Sequence, residues 1–132
     1  MAEQTLPATG TFCWTELMTR DVEKAKKFYS SLIGWKIEGM DMGGFTYHLL
    51  QTPGTGEQVG GMMQMEGPKF EGVPPHWMPY IAVDDIDGSA KKAVELGGKI
   101  KVPPTDIPNI GRFCVLQDPT GAVISLYKSA GK

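Results

Sequence analysis

Few side chains in this 132-residue chain could do chemistry, and they are scattered. His48 and His76 are its two histidines and are not paired within one predicted element. Cys13 and Cys114 lack a CxxC or Cys/His spacing and lie in apolar, strand-like segments, which predicts two buried thiols. Glu16 lies in an aromatic strand pattern, in which its carboxylate would face either inward or outward. An inward carboxylate could act as a general base, so Glu16 is the candidate catalytic residue.

Each of these residues also has an ordinary structural interpretation. For His48 and His76 we expect partly exposed or hydrogen-bonded positions at strand ends. A metal site built from one histidine and Glu16 is the alternative. Glu16 could instead lie at a rim where its carboxylate reaches water, with Arg20 or Arg112 as its partner.

Composition excludes several classes of function. The formal net charge is −2, 41% of the residues are hydrophobic, and the lysines and arginines are scattered. This composition favours a globular domain with a real core, and it argues against nucleic acid as a partner. No apolar window approaches the length of a membrane span, and the N-terminal residues lack a basic start. We therefore expect no membrane partner and a cytoplasmic location.

Apolar periodicity and turn residues predict two series of elements. A helix over 22–32, with Asp21 as its N-cap, follows a strand near 11–18. A second helix over 86–96 follows a strand near 77–84. The remaining predicted strands are 35–40, 45–51 and 58–65 in the first series, and 99–102, 111–117 and 122–128 in the second. Residues 103–111 are predicted as a loop and residues 118–121 as a turn.

The two series are copies of each other. Trp14 to Gly34 recurs loosely as Met78 to Gly98, at a constant offset of 64 residues. A long offset found only twice indicates an internally duplicated domain. The prediction is therefore an α+β fold in which residues 1–132 form one domain. Its two βαβββ modules cover about 10–66 and about 76–128, and they are joined by a linker over 67–75.

Several motifs resemble those of the vicinal oxygen chelate superfamily, which includes glyoxalase I, bleomycin-resistance proteins and extradiol dioxygenases. The motifs are Thr19-Arg20-Asp21, Ala25-Lys26-Lys27-Phe28-Tyr29, Ile33-Gly34-Trp35 and Gln117-Asp118-Pro119-Thr120-Gly121-Ala122. The resemblance covers the chain from about residue 10 to residue 127. It implies curved, cup-like mixed sheets with the helices packed outside, enclosing a cavity, and a homodimer.

The resemblance also implies where a catalytic metal would bind. Relatives hold a divalent ion with His, Gln or Glu from the first and fourth strands of each module. The matching positions here are Trp14, Met78, Ser125, and either Gly61 or, with an alignment error of one residue, Met62. None of these is a ligand that Zn²⁺, Ni²⁺, Mn²⁺ or Fe²⁺ would select. We therefore predict no metal and no other cofactor.

Alternation along the strands then predicts what lines the cavity. The walls are mostly apolar with a few polar groups, as in small-molecule pockets. The predicted ligand-binding residues are Trp14, Glu16, Met63, Met78, Tyr80, Ser125 and Tyr127. The alternative is a closed interior, because methionine side chains can fill irregular gaps.

Two hypotheses of function follow. The first is a small-molecule-binding protein for an apolar or aromatic ligand, of the bleomycin-resistance type, without the usual catalytic metal. The second is a glyoxalase-like lyase or isomerase that uses a non-standard metal site or acid–base chemistry at Glu16. An interaction module without a ligand is a third option. The sequence leaves open whether the modules pair within one chain or by exchange across a dimer.

Overall fold

The computed structural model describes residues 7–130 and has the α+β, two-module βαβββ architecture. The chain forms two compact units. The first unit is Trp14–Met78, and the second consists of 7–13 together with 79–130. Among the described residues, no helix has the length and apolar character needed to cross a membrane.

Every predicted helix and strand is present. The first series contains β1 (Phe12–Thr19), α1 (Val22–Leu32), β2 (Lys36–Asp41), β3 (Thr46–Gln51) and β4 (Gln58–Gln64). A short 3₁₀ helix, Pro68–Phe70, lies within the predicted linker. The second series contains β5 (His76–Ala82), α2 (Ile86–Glu95), β6 (Lys99–Ile107), β7 (Gly111–Gln117) and β8 (Val123–Ser129).

The sheet ladders confirm the duplication. The strand order is β2-β3-β4-β1 in the first series and β5-β8-β7-β6 in the second. In each series the first and fourth strands pair in parallel and the other neighbours are antiparallel. Glu16 pairs with Gly61, and Tyr80 pairs with Ser125. The offset of 64 residues seen in the sequence is therefore also the offset between equivalent ladder positions.

The helices begin alike but end differently. Asp21 and Asp85 each accept a hydrogen bond at 3.0 Å from the backbone N–H three residues on, which satisfies an otherwise unpaired donor at the helix start. After α1, Gly34 takes a left-handed conformation, with φ of 89°. The sequence repeat pairs Gly34 with Gly98, yet Gly97 takes this conformation after α2, with φ of 99°. The reason is that α2 has 10 residues and α1 has 11.

Each unit buries the apolar side of its helix against its sheet. The cluster of the first unit consists of Leu17, Val22, Leu50 and Met62, and that of the second consists of Ile86, Ala90 and Cys114. Val83 and Leu126 pack against the second cluster, as alternation predicts. Apolar burial of this kind is the main stabilising contribution to such a fold.

Aromatic residues of the family-like motifs reinforce the first cluster. The ring centroid of Tyr29 lies 5.5 Å from that of Trp35 and 5.6 Å from that of Trp77. The two indoles are 6.2 Å apart and meet edge to face. Tyr29 of the Phe-Tyr pair and Trp35 of the Gly-Trp exit therefore help to hold α1 against the sheet.

The predicted loop over 103–111 is partly wrong. β6 continues through Pro103 and Pro104 to Ile107. Proline lacks a backbone N–H, but β6 is the last strand of its series and pairs only with β7, where the register shifts between Val102 and Thr105. Edge strands and irregular ladder positions are where a strand tolerates proline.

The predicted turn over 118–121 is confirmed. Asp118 accepts hydrogen bonds from the backbone N–H of Thr120 at 2.8 Å and from that of Ala122 at 3.1 Å. Its carboxylate also accepts from the Thr120 hydroxyl, and these bonds lower the pKa of Asp118. Gly121 has φ of 102°, a left-handed conformation that glycine adopts without a steric penalty.

Candidate functional site

The ladder of the first unit identifies which residues share a face with Glu16. Glu16 and Gly61 are direct partners, and so are Leu17 and Met62. Met62 is fully buried in the cluster under α1, so it faces the helix. Side chains alternate between the two faces of a strand, so Gly61 lies on the face turned away from α1. The position suggested by the family resemblance is therefore Gly61, and the alternative, Met62, is wrong.

Tyr47 fills the space that a side chain at residue 61 would need. A Cβ atom added to Gly61 would overlap the hydroxyl and the Cζ atom of Tyr47. The same hydroxyl accepts a hydrogen bond of 2.8 Å from Nε1 of Trp14. A side chain at residue 61 would therefore require the Tyr47 phenol to move. We call Trp14, Glu16, Tyr47, Gly61 and Met63 the first-unit face.

Glu16 is the acidic member of the first-unit face. Its exposed fraction is 5%, so the exposed rim position is wrong. The two arginines considered as partners make other contacts. Arg20 donates to the carbonyl oxygen of Phe70 at 2.6 Å. Arg112 belongs to the second unit, where it forms 2.8 Å ion pairs with two aspartates, Asp87 and Asp106.

The second unit groups three other predicted residues on one face of its sheet. Tyr80 pairs with Ser125, and Ala82 pairs with Tyr127. The two tyrosine rings meet edge to face, with centroids 6.3 Å apart. Ser125 is fully buried, and its Oγ atom has no hydrogen-bond partner in the described part of the chain. We call Tyr80, Ser125 and Tyr127 the second-unit face.

Tyr127 is fixed by packing and by a hydrogen bond. Its hydroxyl donates to the carbonyl oxygen of Ile110 at 2.9 Å. A Cβ atom added to Gly111 would lie 2.8 Å from Cε1 of Tyr127. Burial is the main cause that raises the pKa of Tyr127. This phenol is therefore neutral at physiological pH.

The predicted site residues thus fall into two groups, one in each unit. Trp14, Glu16 and Met63 lie on the first-unit face, whereas Tyr80, Ser125 and Tyr127 form the second-unit face. Met78 is partly buried in β5. Tyr47 is the residue that sequence analysis misses. Alternation along β3 could have placed Tyr47 on this face. Alternation could not have predicted that the side chain reaches across to residue 61.

The two histidines differ from each other. His48 pairs with Met62, faces α1 and is 9% exposed, so the expected exposed or hydrogen-bonded position is wrong for it. Its Nδ1 atom has no hydrogen-bond partner among the described residues. Burial lowers the pKa of His48, nearby Lys26 lowers it further, and Glu23 acts in the opposite direction. His76 lies with Nδ1 2.8 Å from the carbonyl oxygen of a proline at residue 74, as expected for a hydrogen-bonded strand end.

The thiols are free in the structure. Cys114 is fully buried in the cluster under α2, which confirms the prediction, whereas Cys13 is only partly buried. Burial raises the pKa of both thiols, most strongly through desolvation of the thiolate. Neither cysteine therefore has the depressed pKa of a reactive thiol.

Candidate metal ligands are not clustered. Among residues 7–130, no group of three or more His, Cys, Asp or Glu side chains is arranged to hold a metal ion. On the first-unit face, Trp14 offers only an N–H donor, which is already bonded to Tyr47, and Gly61 offers no side chain.

A family model described as the Glyoxalase/Bleomycin resistance protein/Dioxygenase superfamily matches residues 11–126. The chain belongs to this superfamily. It is 44% identical over 123 residues to the Mycobacterium tuberculosis protein named "Putative glyoxylase CFP32", covering 92% of this chain and 45% of that protein. It is 35% identical over 122 residues to the Streptomyces peucetius protein named "Anthracycline biosynthesis protein DnrV", covering 90% and 42%. The chain thus spans less than half the length of these curated relatives.

Solved structures share the fold. A Bacillus halodurans hypothetical protein, BH1468, has a TM-score of 0.68 and 12% identity, with 95% of this chain and 98% of that chain covered. Streptomyces coelicolor methylmalonyl-CoA epimerase, in complex with 2-nitronate-propionyl-CoA, has a TM-score of 0.66 and 15% identity, with 94% and 100% covered. At these identities the likeness concerns the fold alone, and function has to be argued from the site.

Proposed function

We propose that this member of the superfamily binds an apolar or aromatic small molecule without the usual catalytic metal. One observation carries the proposal. The phenol of Tyr47 occupies the space of a side chain at residue 61, where relatives are expected to hold a metal ligand. Trp14, a second family position, donates to this phenol at 2.8 Å, so one of the four positions belongs to a hydrogen-bonded aromatic pair and another, Gly61, is covered by that pair.

The chemistry of the other two positions supports the same conclusion. Met78 offers a soft thioether, and Ser125 offers a neutral hydroxyl. Divalent zinc, nickel, manganese and iron select imidazole, carboxylate or thiolate ligands over these groups. The four residues therefore do not fit the ion that the superfamily implies, and no step of the proposed function passes through one.

Each of the two faces, taken by itself, offers groups that could contact a small organic ligand. Aromatic rings and thioethers supply apolar contact area, while Glu16, Ser125 and the tyrosine hydroxyls supply a few polar contacts. The names of the two relatives refer to a glyoxylase and to anthracycline biosynthesis. These names support a small organic ligand and do not fix its identity.

Calorimetric titration with 2-naphthylmethanol, a neutral aromatic probe, tests the proposal. The expected result is saturable binding whose Kd is the same in chelator and in added Zn²⁺. Trp14→Leu should weaken binding at least tenfold, which corresponds to about 1.4 kcal/mol. Phe45→Leu is the matched control, because Phe45 is an exposed aromatic residue outside the first-unit face. Binding that requires added metal would contradict the proposal.

A lyase or isomerase that uses Glu16 is the second candidate. The observation in its favour is that the buried carboxylate lies directly opposite Gly61, beside the position of a family metal ligand. A carboxylate at this place could remove a proton from a bound substrate. Hydrogen–deuterium exchange into a bound carbonyl compound, lost in Glu16→Gln, would support this candidate over simple binding.

A homodimer is part of the proposal, since the superfamily resemblance implies one. Sedimentation equilibrium would test it directly. A molar mass of twice the 14.4 kDa of the chain is expected, and a mass of one chain at micromolar concentration would contradict it.

A further inference from the structure

Ser125 is the most buried residue of the second-unit face. Its side chain is fully buried, and its Oγ atom has no hydrogen-bond partner among residues 7–130. A hydroxyl group carries one donor and two acceptor lone pairs, so burying it without a partner is unfavourable. Alanine would fill the same place in the strand without this cost. The hydroxyl is therefore explained best by a group that binds to it.

The residues around Ser125 are larger and less buried than the serine itself. Tyr80 lies directly opposite on β5 and Val115 directly opposite on β7, while Val123 and Tyr127 lie two residues away along β8. Each of these four residues keeps some exposed surface. The short serine side chain thus lies at the base of a ring of longer ones. A ligand that passes between them would meet the hydroxyl.

The charged residues of β7 and β8 face away from Ser125. Arg112 pairs with Lys128, two residues from Cys114 and Leu126, which pack with α2. Side chains two residues apart share a face, so both charges lie on the side of the sheet that carries α2. On the second-unit face, a bound carboxylate or phosphate would lose its hydration without a neighbouring cation to compensate it. The surroundings of Ser125 therefore favour a neutral group.

A count of donors and acceptors identifies the neutral group that suits Ser125. If the ligand presents an alcohol or an amine, both partners bring a donor, and a single bond between them leaves one O–H or N–H unpaired. If the ligand presents a carbonyl oxygen, the serine O–H donates to it and no donor remains unpaired. Buried donors without a partner are rarer in proteins than buried acceptors with a spare lone pair. A carbonyl oxygen is therefore the better partner.

We infer that the group bound at the second-unit face is the carbonyl of a neutral aromatic compound, and that Ser125 donates a hydrogen bond to its oxygen. The inference deepens the proposed function and rests on it. The rings of Tyr80 and Tyr127, which meet edge to face, would contact the aromatic body of the ligand. A site of this kind rejects analogues that lack the acceptor, because they leave the buried hydroxyl unpaired.

Calorimetric titration with two ligands of the same carbon skeleton tests the inference. 2-Acetylnaphthalene presents a carbonyl oxygen, and 1-(2-naphthyl)ethanol presents an alcohol at the same position. The unmodified protein is expected to bind the ketone at least about tenfold more tightly than the alcohol. In Ser125→Ala this preference should fall to within about twofold, mainly through weaker binding of the ketone. Ser30→Ala, which removes an exposed hydroxyl from α1, is the control and should keep the preference.

The outcomes separate this inference from the proposed function. Equal binding of the two ligands, or tighter binding of the alcohol, overturns the carbonyl preference and leaves the binding function standing. A preference that persists in folded Ser125→Ala overturns the role of Ser125. If Ser125→Ala does not fold, Ser125→Cys takes its place and should lower the preference, because a thiol is a weaker donor. Absence of binding by both ligands and by 2-naphthylmethanol overturns the inference and the proposed function together.

Discussion

Tyr47 in the first unit and Tyr127 in the second each lie against a glycine of the neighbouring strand, but the two glycines occupy different places in the duplicated frame. Tyr47 lies against Gly61 on β4, and Tyr127 lies against Gly111 on β7. β4 and β8 are the equivalent strands, and the position on β8 that corresponds to Gly61 is Ser125. The first unit thus fills this position with a neighbouring phenol, whereas the second keeps a buried hydroxyl there.

The comparison separates what duplication preserves from what it does not. The ladders and the helix caps are equivalent in the two units: backbone hydrogen bonds set the ladders, and an aspartate carboxylate accepts a backbone N–H at each cap. The side chains on the faces have diverged, because a face tolerates any set that fills its volume. The fold of the superfamily is therefore compatible with a glycine, which has no side chain, at residue 61.

Alanine substitutions at Gly61 and Gly111 should have the largest effects on stability and should distinguish the two units most clearly. A Cβ atom at Gly111 would overlap the backbone carbonyl oxygen of Lys128, whereas one at Gly61 meets only the flexible end of Tyr47. We expect Gly111→Ala to lower the free energy of unfolding by about 3 kcal/mol and Gly61→Ala by about 2 kcal/mol, since overpacking costs this much. Urea unfolding followed by circular dichroism measures both.

Double mutants distinguish the two contacts. Tyr47→Ala should relieve the cost of Gly61→Ala, giving a favourable coupling of at least about 1 kcal/mol in a double-mutant cycle. Tyr127→Ala should not relieve Gly111→Ala, because the carbonyl of Lys128 remains in place. Equal relief in both units would show that the two tyrosine–glycine contacts are equivalent after all.

The residue that packs under the helix of each unit should have the next largest effect on stability. His48 pairs with Met62, and Cys114 pairs with Leu126, so His48 is the first-unit counterpart of Cys114. The pKa of His48 is lowered in the folded protein, mainly by burial, so the unfolded chain takes up the proton first as pH falls. Stability should fall below about pH 6.5, by at most about 1.4 kcal/mol per pH unit. Urea midpoints between pH 7 and pH 5 measure this loss.

His48→Cys, which copies the second unit, should remove this part of the pH dependence. His76→Gln is the control, because the His76 ring already has a hydrogen-bond partner at a strand end. An unchanged pH profile in His48→Cys would contradict the assignment of the lowered pKa to His48.

Ser125→Ala tests the polar group that the second unit retains. The Oγ atom is buried without a partner in the described chain, so its removal relieves an unmet desolvation cost. We expect the free energy of unfolding of the ligand-free protein to rise by about 1 kcal/mol, observed as a higher Tm. Ser30→Ala is a contrasting control, since Ser30 donates to the Lys26 carbonyl at 2.6 Å and should show no gain. A loss of stability in Ser125→Ala would reveal a partner for the hydroxyl.

The helix caps should show the smallest difference between the units. Asp21→Ala and Asp85→Ala each remove one capping bond of 3.0 Å and should each cost about 1 kcal/mol. The two losses in the free energy of unfolding are expected to agree within about 0.5 kcal/mol, the usual scatter for independent sites. A much larger difference in urea unfolding would show that the frame is less symmetric than the ladders indicate.

Much of the frame is readable from the sequence, because apolar periodicity and turn residues are local signals. The bounds of α1 and β7 and the turn at Asp118 follow from such signals. The predicted β6 ends too early because Pro103 and Pro104 are read as strand breakers. A strand tolerates these prolines when it lies at the edge of its sheet. Edge position is a property of the assembled sheet.

The site is less predictable for a related reason. Alternation assigns Glu16 and Gly61 to one face correctly, because the period of a strand is two. The overlap of Tyr47 with the space at residue 61 depends on side-chain reach across strands, which no local pattern contains. The burial of His48 could have been anticipated, since it shares strand parity with the buried Leu50.

Elemental analysis of the protein purified without chelator tests the central claim most directly. If Trp14, Tyr47 and Gly61 form a packed wall in place of a metal-binding half-site, every transition metal should be present at far less than one ion per chain. One tightly held ion per chain, retained through dialysis and lost in Ser125→Ala, would contradict the account.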